Sequence, residues 1–135
     1  MFFFDSDTCI NLMRNKLPSA AELIKNSDPE LFGIPAIVEG ELRLGAQKSS
    51  TPAKNVTTLE RFLAPFASIP FDQHCASIYG LLRAELEKRG CRIGFNDMLI
   101  AATTIANGAT LITGNTREFS RIGGLSVENW EEINF

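Results

Sequence analysis

Residues 93–119 read IGFNDMLIAATTIANGATLITGNTREF. The apolar residues of the first half recur at helical spacing, which predicts a helix over Asp97 to Ala106, with Asn96 as its N-cap and Asn107-Gly108 as its stop. Thr110 to Thr113 then form a short strand, and Thr116 to Phe119 a single turn of helix. Helix, strand and helix in such quick succession is the rhythm of a parallel sheet with helices on both faces.

The same rhythm runs back to the N-terminus. Phe2 to Phe4 make a buried strand, and Thr8 to Arg14 the helix that leaves it, with Ser6 or Asp7 as N-cap. Pro18 suits the first turn of a second helix through Ala20, Leu23 and Ile24. Leu31 to Ile34 read as a strand, Ala36 to Ala46 as a helix, and Pro52 opens a further helix with Val56, Leu59, Phe62 and Leu63 on its apolar face. Ala67 to Pro70 make a third strand, and Asp72 caps a long helix that stops near Gly90. Leu125 to Val127 form a last edge strand before Trp130. Ligands of such sheets gather beyond the carboxyl ends of the strands.

At 135 residues the chain reads as one domain, able to bury a core without disulfides or a structural metal. Its apolar runs fall far short of the ~20 residues that span a bilayer, so no membrane association is expected. A basic leader with an apolar core segment is absent, and Cys9, Cys75 and Cys91 cannot all pair, so reduced thiols in a cytoplasm are expected. The net charge of −3 argues against a general nucleic-acid coat protein. It leaves room for an enzyme that holds RNA through local bases and a bound cation, with Arg14, Lys16, Lys48, Lys54, Arg117 and Arg121 as unranked contributors.

The chemistry-bearing residues are acids. Asp5 and Asp7 follow the first strand, as helix caps or as ligands. Glu41 shares the apolar face of its helix with Ile37 and Val38, whereas Glu39 points to solvent. A carboxylate on that face needs a buried Arg partner or a metal. Asp97 shares a face with Ile100, Ala101 and Thr104, and a first-turn Asp is also favoured by the helix dipole. In the loop TGNTREF, the Thr113 hydroxyl and Asn115 amide can hold a water or a carboxylate, and Arg117 can meet a phosphate. Glu118 either joins the acids or lies in solvent. If Asp5, Glu41 and Asp97 converge with this loop, the all-oxygen donor set suits Mg²⁺ or Mn²⁺. The lone histidine, His74, excludes a multi-histidine zinc centre and is expected at the start of a surface helix.

An apolar strand ending in Asp-x-Asp also opens haloacid dehalogenase-like phosphatases. Here DSDT lacks their usual Gly, and no later strand ends in paired aspartates, so that reading is the alternative. FFFDSDTCINLM (2–13) resembles the Leu-Asp-Thr-Asn opening of PIN-domain proteins, and GELRLGA (40–46) their Ala-Glu-Leu-x-x-Gly-Ala helix. Residues 93–130 resemble their C-terminal half, in the VapC type of toxin–antitoxin endoribonuclease.

That resemblance implies a three-layer α/β/α sandwich over residues 1–135 and a Mg²⁺-dependent acid site, with Mn²⁺ as substitute. It also implies RNA cleavage, a homodimer, and inhibition by a cognate VapB-like antitoxin lying across the active groove. Its metal acids fall on Asp5, Glu41 and Asp97, with Glu118 as a further catalytic residue and Asp7, Thr113 and Asn115 around them. Two positions depart from the pattern: Asp7 stands where Asn is usual, and Asn115 where many members carry Asp. An inactive PIN-like RNA- or protein-binding module is the second alternative, disfavoured by the three acids.

Overall fold

The computed structural model of the chain describes residues 1–131, so the last four positions of the expected domain lie outside the described residues. Strand β1 (Phe2–Phe4) leads into helices α1 (Ser6–Met13) and α2 (Pro18–Lys25), and a 3₁₀ turn at Pro29–Leu31 leads into β2 (Phe32–Pro35). Helices α3 (Ala36–Lys48) and α4 (Pro52–Leu63) precede β3 (Ala67–Ile69), and α5 (Gln73–Lys88) and α6 (Phe95–Ala106) precede β4 (Thr110–Ile112). Helix α7 (Thr116–Phe119) joins β4 to β5 (Ser126–Glu128).

All five strands are parallel, in the order β3-β2-β1-β4-β5, and helices cover both faces of the sheet. The chain steps one way from β1 to β2 and β3, then returns across the sheet to β4 and steps the other way to β5. The crevice between β1 and β4 is therefore the topological switch point, where loops diverge and leave room for a ligand.

The core explains why such short strands hold. Phe4 packs on Phe32, Phe66 and Trp130, with ring centroids 5.7, 5.8 and 5.8 Å away, so a residue from beyond β5 seals the sheet over β1 and β2. On the other face a Cβ at Gly33 would stand 2.9 Å from the Ile69 side chain and 3.0 Å from the Phe3 ring, so only glycine lets these strands approach. Gly108, with φ of +61°, ends α6 as its Asn-Gly signal predicts.

The structure corrects three boundaries. Helix α1 is capped by Asp5, whose carboxylate accepts from the Thr8 N–H, and neither Ser6 nor Asp7 is the cap. Helix α6 starts at Phe95 after Gly94, so Asn96 lies in the first turn instead of capping it. Strand β2 starts at Phe32 because Asp28 caps the 3₁₀ turn, its carboxylate accepting from the Glu30 N–H at 3.0 Å. Asp72 caps α5 as expected, through the Cys75 N–H at 3.0 Å, and His74 is exposed in its first turn. Among the described residues no helix is long and apolar enough to cross a membrane.

Candidate active site

Backbone pairing places the first acid. The Asp5 N–H donates to the Ile112 carbonyl at 3.2 Å, which extends the β1–β4 ladder by one residue and sets Asp5 beside Thr113 at the switch point. Asp5 is 7% exposed, and both of its carboxylate oxygens are engaged: Oδ1 accepts from the Thr8 N–H at 2.9 Å, and Oδ2 accepts a short bond from the Thr113 hydroxyl. The Thr8 hydroxyl in turn donates to the Ile112 carbonyl at 3.2 Å. Burial raises the Asp5 carboxyl above its ordinary value, and the hydrogen bonds from Thr113 and Thr8 pull it part of the way back.

Helices supply the other acids. Glu41 projects from α3, and its Oε1 accepts from the Ser6 hydroxyl at 2.7 Å, so the first residue of α1 orients an acid 35 positions later. Among the described residues no Arg or Lys pairs with Glu41, which removes the buried ion pair that would otherwise explain it. Glu39, two positions earlier and on the opposite side of the helix, pairs with Arg43 at 3.4 Å at the surface.

Asp97 comes from the first turn of α6. Burial, followed by the negative charges of Glu118, Glu41, Asp5 and Asp7, pushes its carboxyl from 3.8 up to about 6. Asp5, Ser6, Asp7, Glu41, Asp97 and Asn115 line one small cavity of about 120 Å³, closed at its base by Ile100 and Phe119. Acids scattered over 92 positions of sequence thus meet at the carboxyl end of the central strands.

Glu118 stands beside this cavity and is tied down. Its Oε2 accepts from the Asn115 side-chain amide at 2.6 Å, and its Oε1 accepts from the Gly94 N–H at 3.3 Å. It therefore braces the loop that launches α6 against the loop that follows β4. Asn115 completes the chain of bonds by donating its own N–H to the Thr113 hydroxyl at 2.9 Å. Arg117 is exposed, and Asp7 lies exposed on the rim, where a neighbouring surface pocket also takes in Asn11, Arg14 and Glu131.

Ser6 and Gly94 join the site only through the tertiary structure. A hydroxyl between two aspartates at a strand end was the available signal for Ser6; for Gly94, whose backbone makes the contact, sequence carries none.

The donor set tests what the cavity can hold. It consists of oxygen from three separate elements, with no neutralising base within it, and that chemistry fits a hard divalent cation. Among the described residues no three or more His, Cys, Asp or Glu side chains form a ready-made ion cage. Crowded like charges favour that openness until a cation offsets them.

Comparison with known proteins gives a consistent answer. A family model described as "PIN domain" matches residues 2–125. The chain is 38% identical over 136 residues to Ribonuclease VapC2 of Rickettsia felis, covering 98% of this chain and 99% of that protein. It is 34% identical over 129 residues to the tRNA(fMet)-specific endonuclease VapC of Shigella flexneri, covering 96% and 97%. Among solved structures, DNA-bound VapBC from Salmonella typhimurium superposes with a TM-score of 0.90 at 33% identity, covering 96% of this chain and 97% of that one. VapBC2 from Rickettsia felis, bound to a promoter DNA fragment, gives 0.87 at 38% identity, covering 96% and 98%.

Proposed function

This chain belongs to the PIN domain family, as a VapC-type ribonuclease, and we propose that its cavity hydrolyses RNA phosphodiester bonds with Mg²⁺ held by Asp5, Asp97 and Glu41. The observation that carries the metal reading is Asp97. A half-buried carboxyl pushed up to about 6 by burial and then by four neighbouring acids, with no base to answer it, is what a cation-binding site looks like before its charge is balanced. Bound Mg²⁺, for which Mn²⁺ can substitute, would neutralise charge on the scissile phosphate and lower the pKa of the attacking water.

The chain's own groups do the rest. Thr113 and Thr8 hold both oxygens of Asp5, so that carboxylate presents its remaining lone pairs in a fixed direction. Ser6 occupies Oε1 of Glu41 and leaves Oε2 either to complete the metal cage or to take the proton from the attacking water. Glu118 acts from outside, by fixing the start of α6 and hence the position of Asp97. Asp7 adds charge at the rim, and Arg117 reaches for a substrate phosphate. The products are a 5′-phosphate and a 3′-hydroxyl, and Asp5 has no covalent role.

The substrate is tRNA or another structured RNA, and the activity is that of a toxin neutralised by a VapB-type antitoxin; the VapBC complexes and the tRNA(fMet)-specific relative support this reading. The protein acts in the cytoplasm as a homodimer. The phosphatase alternative has no counterpart in the family match.

Incubation of the protein with total RNA, with Mg²⁺ and with chelator, followed by mapping of new 5′ ends, tests the proposal. Discrete 5′-phosphate ends that vanish in chelator are expected. Cleavage that persists in chelator overturns the metal assignment, and intact RNA beside phosphate release from small phosphoesters overturns the nuclease.

A further inference from the structure

The thirteen Lys and Arg residues are unevenly placed: segments 88–92 and 117–121 together hold Lys88, Arg89, Arg92, Arg117 and Arg121, all exposed. Tertiary structure lays these two segments side by side. Nη2 of Arg89 donates to the Arg121 carbonyl at 2.9 Å, and Nη1 of Arg121 donates to the Arg92 carbonyl at 3.4 Å. At the end nearest the acids, the Glu118 bond to the Gly94 N–H closes the seam. Of these five, only Arg89 has an ion-pair partner among the described residues, Glu85 at 3.7 Å. The guanidiniums of Arg92 and Arg117 make no hydrogen bond or ion pair among the described residues.

We propose that this ridge is the track on which the RNA backbone enters the acid cavity, with Arg92 and Arg117 as its phosphate contacts and Arg89 and Arg121 as the braces that shape it. The inference rests on the ribonuclease reading and adds the surface that holds the substrate. An acidic cavity in a chain of net charge −3 repels a polyanion, and the opposing field must come from within about a Debye length of ~10 Å. The ridge meets that need because it shares the Gly94–Glu118 seam with the loop that positions Asp97. Free guanidinium forks match phosphate geometry, and the planar fork loses less freedom per hydrogen bond formed than a lysine does. A purely structural role would require neither free forks nor so many like charges on two adjoining segments.

The test is the salt dependence of kcat/KM for cleavage of labelled tRNA by the wild type, by Arg92→Gln/Arg117→Gln, and by Lys25→Gln/Arg61→Gln, which makes the same change in net charge on α2 and α4. Among the described residues neither the Arg92 nor the Arg117 guanidinium holds a hydrogen bond or ion pair, so melting temperatures should agree. The ridge variant should lose roughly tenfold or more in kcat/KM at low salt, through KM with kcat kept. Its log–log salt slope should fall by about 1.4, the sum of two single-strand contacts at ~0.7 each. The control should stay within about twofold of wild type. A ridge variant that matches the control, or that loses kcat with KM unchanged, overturns the track while leaving the nuclease intact. A wild type that does not cleave overturns both.

Discussion

Asp5 and Asp97 face the same cavity and are held in opposite ways. Asp5, at a strand end, has a donor on each oxygen and is 7% exposed. Asp97, on the first turn of a helix, meets burial and four negative charges, and no hydrogen bond or ion pair reaches it among the described residues. The strand half of the site is finished by folding, because the β1–β4 ladder delivers the donors together with the acid. The helix half is left with uncompensated charge. Stability and metal response should therefore divide between them.

The sharpest test of the strand half is Asp5→Asn. Cleavage should fall by roughly 10²–10⁴-fold, as for removal of a participating catalytic group, whereas the melting temperature should barely move because Asn caps helices as well as Asp does. Initial rates and thermal melts measure the two. Thr113→Val should act on stability instead: it strands a buried carboxylate oxygen and should cost about 1–3 kcal/mol in denaturant unfolding, with Thr113→Ser restoring it. If Val is silent, the strand half is not braced as described.

The helix half responds to pH. Because the folded carboxyl of Asp97 titrates at about 6 and the ordinary value is 3.8, the native state binds more protons than the unfolded state between those values. Stability from this group should then fall as pH rises from about 4 to about 6, and remain reduced above it. Asp97→Asn should flatten that slope and raise the melting temperature at pH 8. Mg²⁺ should raise the wild-type melting temperature at pH 8 by mass action, and less so in the variant. A variant that melts lower than wild type at pH 8 would make Asp97 a stabilising cap. The smallest effect is expected from Ser6→Ala, which frees Glu41 to turn: about a tenfold loss in kcat or less, equivalent to roughly 1.4 kcal/mol.

Much of the fold was legible because strands and helices announce themselves by period and punctuation. Phe2–Phe4, Pro18, Pro52, Asp72, Asn107-Gly108 and Thr116–Phe119 all lie where the pattern puts them. Two of the misplaced boundaries involve a partner supplied from elsewhere: the Asp5 N–H pairs with the Ile112 carbonyl and the Gly94 N–H with Glu118, whereas the start of β2 follows from the local Asp28 cap. Glu118 shows the same limit inside the site. Sequence leaves it either with the acids or in solvent, because beside its local bond to Asn115 it is held by the Gly94 backbone, 24 positions away.

From its sequence alone this chain specifies an alternation of strands and helices and the identity of its acids, because both are properties of local order: period, turn residues and side-chain type. Tertiary structure alone decides that β4 lies beside β1, that Thr113 and Ser6 orient Asp5 and Glu41, and that two separate runs of arginine become one ridge. Those outcomes depend on long-range register and on which charges are brought within a few ångströms of one another, and no local pattern encodes either.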